Sequence, residues 1–246
     1  MSTADALPKI LFLHIAKTAG TSLVEHFRTL LPEDAIASHG DFLQYPRDKP
    51  LPAHEMEQKK FVSGHFGYRH ITPYLDGAFS ITFLRDPVAR ALSFYKFCMH
   101  PGMQKSFAVA RAAQSLGLDG YAQSLLPEVA GMLDNQQTWQ LASMYWEEDR
   151  RAMKSVSDED LLNLAKEHLL RFSYVGLTET FPKDFSVIMN RLGLAMPTTV
   201  PQHYVTAKPV AREDVSAATL KLLANRQQLD QQLIEWVGQN RALLGA

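Results

Sequence analysis

Short, continuously apolar runs alternate along this chain with longer stretches in which apolar positions recur every three or four residues. The run Ile10-Leu11-Phe12-Leu13 has the character of a strand buried on both faces and predicts a strand over about residues 9–15. Leu23, Phe27, Leu30 and Leu31 follow at helical spacing, which gives a helix over about 21–31. Further strands are expected at 60–63, running into Gly64 and His65, at 79–84 and at 174–177. A helix from 87 to about 99 starts on Pro87, whose missing N–H would be unpaired there anyway. Residues 32–59 are rich in proline and charge without periodicity and read as a long connection.

From 104 to 171 the pattern is mostly helical, with breaks expected at Gly117, Gly120, Pro127 and Gly131. Ser157-Asp158-Glu159-Asp160 is a helix start ahead of Leu161 and Leu162. Helices are expected from 181 to 192 and, after a proline-bearing loop at 198–209, from 215 to 244. No repeat, low-complexity tract or linker interrupts the pattern, so a single domain over 1–246 is expected. The fold class is α/β: three layers, with a central, mainly parallel sheet flanked by helices and a helical C-terminal part.

Two of the strands run into turns that carry chemistry. The first turn reads His14-Ile15-Ala16-Lys17-Thr18-Ala19-Gly20-Thr21-Ser22, and the second Leu84-Arg85-Asp86-Pro87-Val88-Ala89-Arg90-Ala91-Leu92-Ser93. A strand feeding a small-residue turn at a helix N-terminus points backbone N–H groups and the positive end of the dipole at one place, which suits a phosphate or sulfate. Two such cradles would suit a ligand phosphorylated at both ends. The first is P-loop-like without being a Walker A loop, because Lys17 precedes Gly20 and no strand ends in a magnesium-binding aspartate. That combination points to transfer of a group less charged than phosphoryl.

These residues carry a resemblance. The sequence looks like the sulfotransferases that use 3′-phosphoadenosine 5′-phosphosulfate (PAPS), and most like the branch of the heparan 2-O-sulfotransferases and their bacterial relatives. That branch has a P-K-T-[AG]-[GS]-T-S loop, matched by Lys17, Thr18, Ala19, Gly20, Thr21 and Ser22, with Ala16 where proline is usual. Its R-D-P-x-x-R-x-x-S segment is matched by Arg85, Asp86, Pro87, Arg90 and Ser93. The resemblance implies that the loop from Lys17 to Ser22 holds the 5′-phosphosulfate and that Arg85, Ser93 and Arg90 hold the 3′-phosphate. It covers the cofactor motifs well and the middle third of the chain poorly. The segments 177–181 and 206–209 resemble the family's late strand-to-helix turn and final nucleotide loop, which makes Lys208 a further 3′-phosphate candidate. Tyr204 replaces an asparagine common in that loop.

The acceptor hydroxyl needs a base. His65 follows a strand, so it should emerge at the same sheet edge as the cradles, and histidine titrates near neutrality. The branch carries H-G-H here; this chain has Ser63-Gly64-His65, so only His65 carries over. His14, inside an apolar strand, reads as structural, while His39 and His70 are minor candidates. The segment Asp134-Asn135-Gln136-Gln137-Thr138 resembles a helix start that borders the acceptor in relatives, followed here by Trp139 where many have arginine. Tryptophan suits a sugar face or an apolar acceptor, or a place in the core.

Composition narrows the alternatives. The 246 residues are 46% hydrophobic and 21% charged with a net charge of −1, which argues against a general nucleic-acid binder. Cys98 is the only cysteine and sits in an apolar run, so it reads as a buried small hydrophobe and no internal disulfide can form. No His or carboxylate spacing suggests a metal site. Residues 1–8 lack the features of a secretory signal, and no run approaches the roughly 20 apolar residues of a membrane span. Animal relatives that modify glycans carry a membrane anchor, so a cytoplasmic, bacterial enzyme is the expectation. It would move a sulfuryl group from PAPS to an acceptor hydroxyl, on a carbohydrate or small molecule, without metal. The alternatives are a P-loop-type kinase or other phosphotransferase, which would need magnesium and ATP, and a non-catalytic nucleotide-binding protein.

Overall fold

The structure is a computed structural model that describes residues 7–42, 51–143, 156–198 and 210–246. Five strands form one sheet in the order β2-β3-β1-β4-β5. They are β1 (Lys9–Leu13), β2 (Ile36–Ala37), β3 (Phe61–Gly64), β4 (Ala78–Leu84) and β5 (Tyr174–Leu177), and every pairing is parallel. All five carboxyl ends therefore lie along one edge. That edge is where ligands bind in open α/β sheets.

The strand pleat divides the core. Ile10 and Phe12 pack with Phe61, Ile81, Phe83 and Tyr174 on one face, while Leu11 and Leu13 pack with Val62, Leu84 and Val175 on the other. Both faces are thus covered, which is why β1 reads as an unbroken apolar run rather than an alternating one. Helix α1 (Gly20–Leu30) starts directly after the first turn. The connection expected at 32–59 is not featureless: among its described residues it holds β2, α2 (His39–Phe42) and α3 (Ala53–Gln58). A two-residue edge strand is too short to leave a periodic signal, and it is fixed by pairing of Ile36 with Phe61.

Beyond β3 come α4 (Tyr68–Ile71), α5 (Pro87–Cys98), α6 (Met103–Ser106), α7 (Ala108–Gln123), α8 (Pro127–Leu133) and α9 (Gln136–Ala142). Helix α5 starts on Pro87 and is capped by the Asp86 carboxylate, which accepts from the Ala89 N–H at 2.8 Å. Gly117 kinks α7 with φ near 66°, a left-handed value that glycine adopts without steric penalty. Pro127 opens α8. Gly120 and Gly131, by contrast, lie within α7 and α8: the expected breaks there do not occur, because packing holds the helices and overrides the intrinsic cost of glycine.

Helix α10 (Asp158–Leu169) begins where Ser157 Oγ accepts from the Asp160 N–H. After β5 the chain continues through α11 (Phe181–Arg191), α12 (Ala217–Asn225) and α13 (Gln228–Gln239). Asp230 of α13 is fully buried and accepts from the Gln137 and Thr138 N–H groups and from the Thr138 hydroxyl. A carboxylate on the first turn of α9 satisfies donors that have no intrahelical partner and complements the helix dipole. Through it the C-terminal helices fix the element that braces the site. No helix among the described residues is long and apolar enough to cross a membrane.

Candidate active site

The first turn departs from β1 in an unusual backbone conformation. Lys17 and Ala19 both have positive φ, 72° and 63°, flanking Thr18. Each costs a non-glycine residue about 1–3 kcal/mol, a strain that clusters at ligand-binding loops. The Thr18 hydroxyl donates to the Ile15 carbonyl at 2.8 Å and is buried, so what Thr18 can offer a ligand is its backbone. The Ser22 N–H closes the turn on the Ala19 carbonyl. No side chain caps α1, and its first N–H groups, at Gly20 and Thr21, begin the helix at the sheet edge. This is the geometry of an anion cradle.

The two motifs touch. Arg85 Nη1 donates to the Lys17 carbonyl at 3.1 Å, tying the second turn to the first. The Arg85 peptide is itself clamped by the buried Gln137 side chain, which accepts from its N–H at 3.0 Å and donates to its carbonyl at 2.9 Å. Glu179, just past β5, accepts from the Asp86 N–H, and the Thr178 hydroxyl donates to the Leu84 carbonyl. The segment expected from the resemblance to lie beside the nucleotide is thus bonded to the Arg85 turn.

Electrostatically the site is short of negative charge. Burial lowers the Lys17 pKa, and the nearby Arg85 charge lowers it further. Burial also depresses Arg85, offset in part by Glu179 and Asp86. Two partly desolvated cations held side by side favour an anion between or beside them. The Lys17 ammonium lies 5.1 Å from the centre of the Phe97 ring, a cation–π distance. Ser93 stands one turn before Phe97 on α5 and is half-buried, so it shares the helix face that Lys17 covers.

Arg90 has a different place. It is fully buried, and its Nη2 donates to the Met132 carbonyl at 2.6 Å. Its Nε and Nη1 have no hydrogen-bond partner among the described residues. Arg90 therefore links α5 to the end of α8 from inside the helical layer. Lys208 and the rest of the loop through Thr206 and Tyr204 lie outside the described residues. Cys98 is buried, as its apolar context implies, and burial pushes its thiol up to about 12.

His65 emerges just past the end of β3 and is pinned from two sides. Its backbone N–H donates to His39 Nδ1 at 3.2 Å, and its own Nδ1 lies 2.6 Å from the His14 carbonyl oxygen. A carbonyl can only accept, so Nδ1 carries the proton and the lone pair sits on Nε2. Burial lowers the His65 pKa, the His14 carbonyl opposes that shift, and the Lys17 charge adds to it. His65 is thus a neutral imidazole at pH 7.

Residues that sequence reasoning set aside converge here. His14 lies one residue beyond β1, and its ring centre is 4.4 Å from that of His65, with His39 4.9 Å from His65 on another side. Burial, followed by the electrostatic influence of His65, His39 and Lys17, holds His14 well below its ordinary pKa. Gln140 Nε2 donates to the carbonyls of both His14 and Phe66, at 3.2 and 2.9 Å. Gln137 and Gln140 thus present buried amides from α9 to the two motifs; their spacing of three residues on one helix was the available signal. Trp139, on the same helix, packs partly buried against the main core. His70 lies apart from the cluster, with Nδ1 accepting from the Gly67 N–H. Among the described residues no group of three or more His, Cys, Asp or Glu is arranged to hold a metal ion.

The sequence model of the sulfotransferase family matches residues 3–239. The chain belongs to the sulfotransferase family. Among solved structures it is similar to mouse sulfotransferase SULT7A1, in a crystal structure complexed with PAP, at 14% identity and a TM-score of 0.39. That alignment takes in 89% of this chain and 63% of the mouse chain, so the chain spans less than two thirds of the length of that solved structure. No curated protein matches the chain.

Proposed function

We propose that this chain is a PAPS-dependent sulfotransferase that moves a sulfuryl group to an acceptor hydroxyl by direct in-line transfer. The observation that carries the reading is the junction of the two motifs, where Arg85 Nη1 meets the Lys17 carbonyl and the neutral imidazole of His65 stands close enough to feel the Lys17 charge. A donor phosphorylated at both ends needs two cradles held in fixed relation, and this contact, which ties the two turns together, supports that reading.

In the proposed mechanism the loop N–H groups from Thr18 to Ser22, together with Lys17, receive the 5′-phosphosulfate. Arg85 and Ser93 receive the 3′-phosphate, with Lys208 as a further contact. Arg90, fully buried and bonded to the Met132 carbonyl, braces α5 against α8. His65 Nε2 takes the proton of the acceptor hydroxyl as its oxygen bonds to sulfur. The bond between sulfur and the phosphate oxygen breaks, the electron pair leaves with the phosphate, and Lys17 neutralises the charge that develops there. Preorganised donors of this kind each contribute about 3–4 kcal/mol to lowering a barrier. No covalent enzyme intermediate is required.

A carbohydrate hydroxyl is the acceptor we favour, on the resemblance to the heparan 2-O-sulfotransferase branch. The reading is tested by transfer of labelled sulfuryl from PAPS to a panel of glycans, phenols and small alcohols in the presence of a chelator. Label on a glycan hydroxyl without added metal is expected. Transfer only to phenols would replace the carbohydrate, and label transfer from ATP instead of PAPS would replace the reaction.

A further inference from the structure

The side chain of His14 lies between the two halves of the proposed chemistry. The His14 backbone N–H continues the β1–β3 ladder by donating to the Gly64 carbonyl at 2.9 Å, which sets the residue directly beside His65. On one side its ring stacks on Phe12, 5.1 Å away at an interplanar angle of 16°. On a second side it meets the His65 ring. On a third it lies against the α-carbon of Gly20, so closely that a β-carbon there would overlap the imidazole. The ring is therefore held by a strand, by the first residue of α1 and by the base, and it fills the space between the last two.

Resting on the sulfotransfer reading, we infer that His14 is a positioning residue: its imidazole is a wedge that fixes the separation between the phosphosulfate loop at Gly20 and His65. In-line transfer depends on that separation, because sulfur is held from the loop side and the acceptor oxygen from the His65 side. A displacement of about 1 Å between reacting groups can cost on the order of 10²-fold in rate. Removing the ring would expose His65 further, and burial is the first cause of its lowered pKa. The other charged or titratable groups facing this pair are Lys17 and His39. The wedge stays uncharged, since its own protonation is opposed by burial and by all three neighbours.

The test compares His14→Ala with His14→Phe, which keeps a flat ring of similar size. Turnover, affinity for 3′-phosphoadenosine 5′-phosphate and the His65 titration by NMR are read in each. The expected result for His14→Ala is a fall in kcat of about 10–10²-fold, bisphosphate affinity within about threefold, and a His65 pKa that rises towards its ordinary value. His14→Phe should retain most of kcat and the lowered His65 pKa. If the phenylalanine variant loses as much as the alanine variant, a ring nitrogen rather than the wedge is at work and the inference is overturned. Unchanged kcat and His65 titration in His14→Ala overturn it as well. Should His14→Ala not fold, His14→Gln, which is shorter of ring bulk but polar, takes its place with the same expectations. The NMR readout needs no substrate, so it still decides the wedge if the wild-type protein proves not to transfer sulfuryl groups.

Discussion

The Nδ1–H of His65 donates to the backbone carbonyl of His14 at 2.6 Å. One hydrogen bond between neighbouring strand ends thereby decides which nitrogen of His65 is basic. Because the acceptor is a main-chain atom, held in turn by Gln140, the tautomer is a property of the sheet edge rather than of a mobile side chain.

That bond leads to a pH profile. Burial lowers the His65 pKa below its ordinary value of 6.5, so the imidazole is neutral, and able to accept a proton, above that point. The acid limb of kcat/KM should have its midpoint below 6.5, with full activity retained at neutral pH. His65→Ala should lose about 10²–10⁴-fold, the usual contribution of a positioned base, and should lose the acid limb with it. A midpoint well above 6.5, or near-wild-type rates in the variant, would remove His65 from the role.

Lys17→Ala removes the charge nearest the proposed leaving group. Turnover should fall on the order of 10²–10³-fold or more, with the fold intact by circular dichroism. The ammonium rests on Phe97, a contact worth only about 0.5–1 kcal/mol at such a site, so the thermal midpoint should move little. A large loss of stability with little loss of turnover would make Lys17 a structural residue.

Gln137→Ala tests the brace. The amide makes both of the hydrogen bonds that clamp the Arg85 peptide, and deleting it leaves a donor and an acceptor unpaired in a part-buried place. Each unpaired group costs about 1–3 kcal/mol. Urea denaturation should therefore show a loss of that order, accompanied by weaker bisphosphate binding because Arg85 is no longer held. Stability lost without any change in binding would separate Gln137 from the second cradle.

Stability should also fall in acid. His14, His26, His65 and His168 all have pKa values lowered chiefly by burial. The unfolded chain then binds more protons than the folded one below about pH 6.5, so their contribution is present above that pH and lost as pH falls through the folded values. The thermal midpoint should drop between about pH 7 and pH 5. A flat profile over that range would show that these imidazoles are not held neutral by the fold.

The sequence carried the parts of this picture that depend on local pattern. β1 announced itself because burial on both faces demands an unbroken apolar run, and Pro87 and Ser157 mark helix starts by their own chemistry. The family followed from the two turns, and the matching of residues 3–239 agrees with it. What could not be read were contacts between distant segments. His14 looked like a strand residue, yet β1 ends one position earlier and its ring meets groups from two other segments, at His65 and Gly20. Gln137, Gln140 and Asp230 act across gaps of 52 to 126 residues, and a buried amide or carboxylate leaves no periodic trace. β2 was hidden because two residues cannot establish an alternation.

The proposed function requires that the Lys17 and Arg85 turns form joined cradles for one bisphosphorylated nucleotide. Calorimetry of 3′-phosphoadenosine 5′-phosphate without metal, beside 5′-AMP and ATP with magnesium, tests it most directly. Selective, metal-independent binding of the bisphosphate is expected, weakened in Arg85→Ala to the level of 5′-AMP. A preference for ATP with magnesium, or bisphosphate binding that does not change in Arg85→Ala, would contradict it.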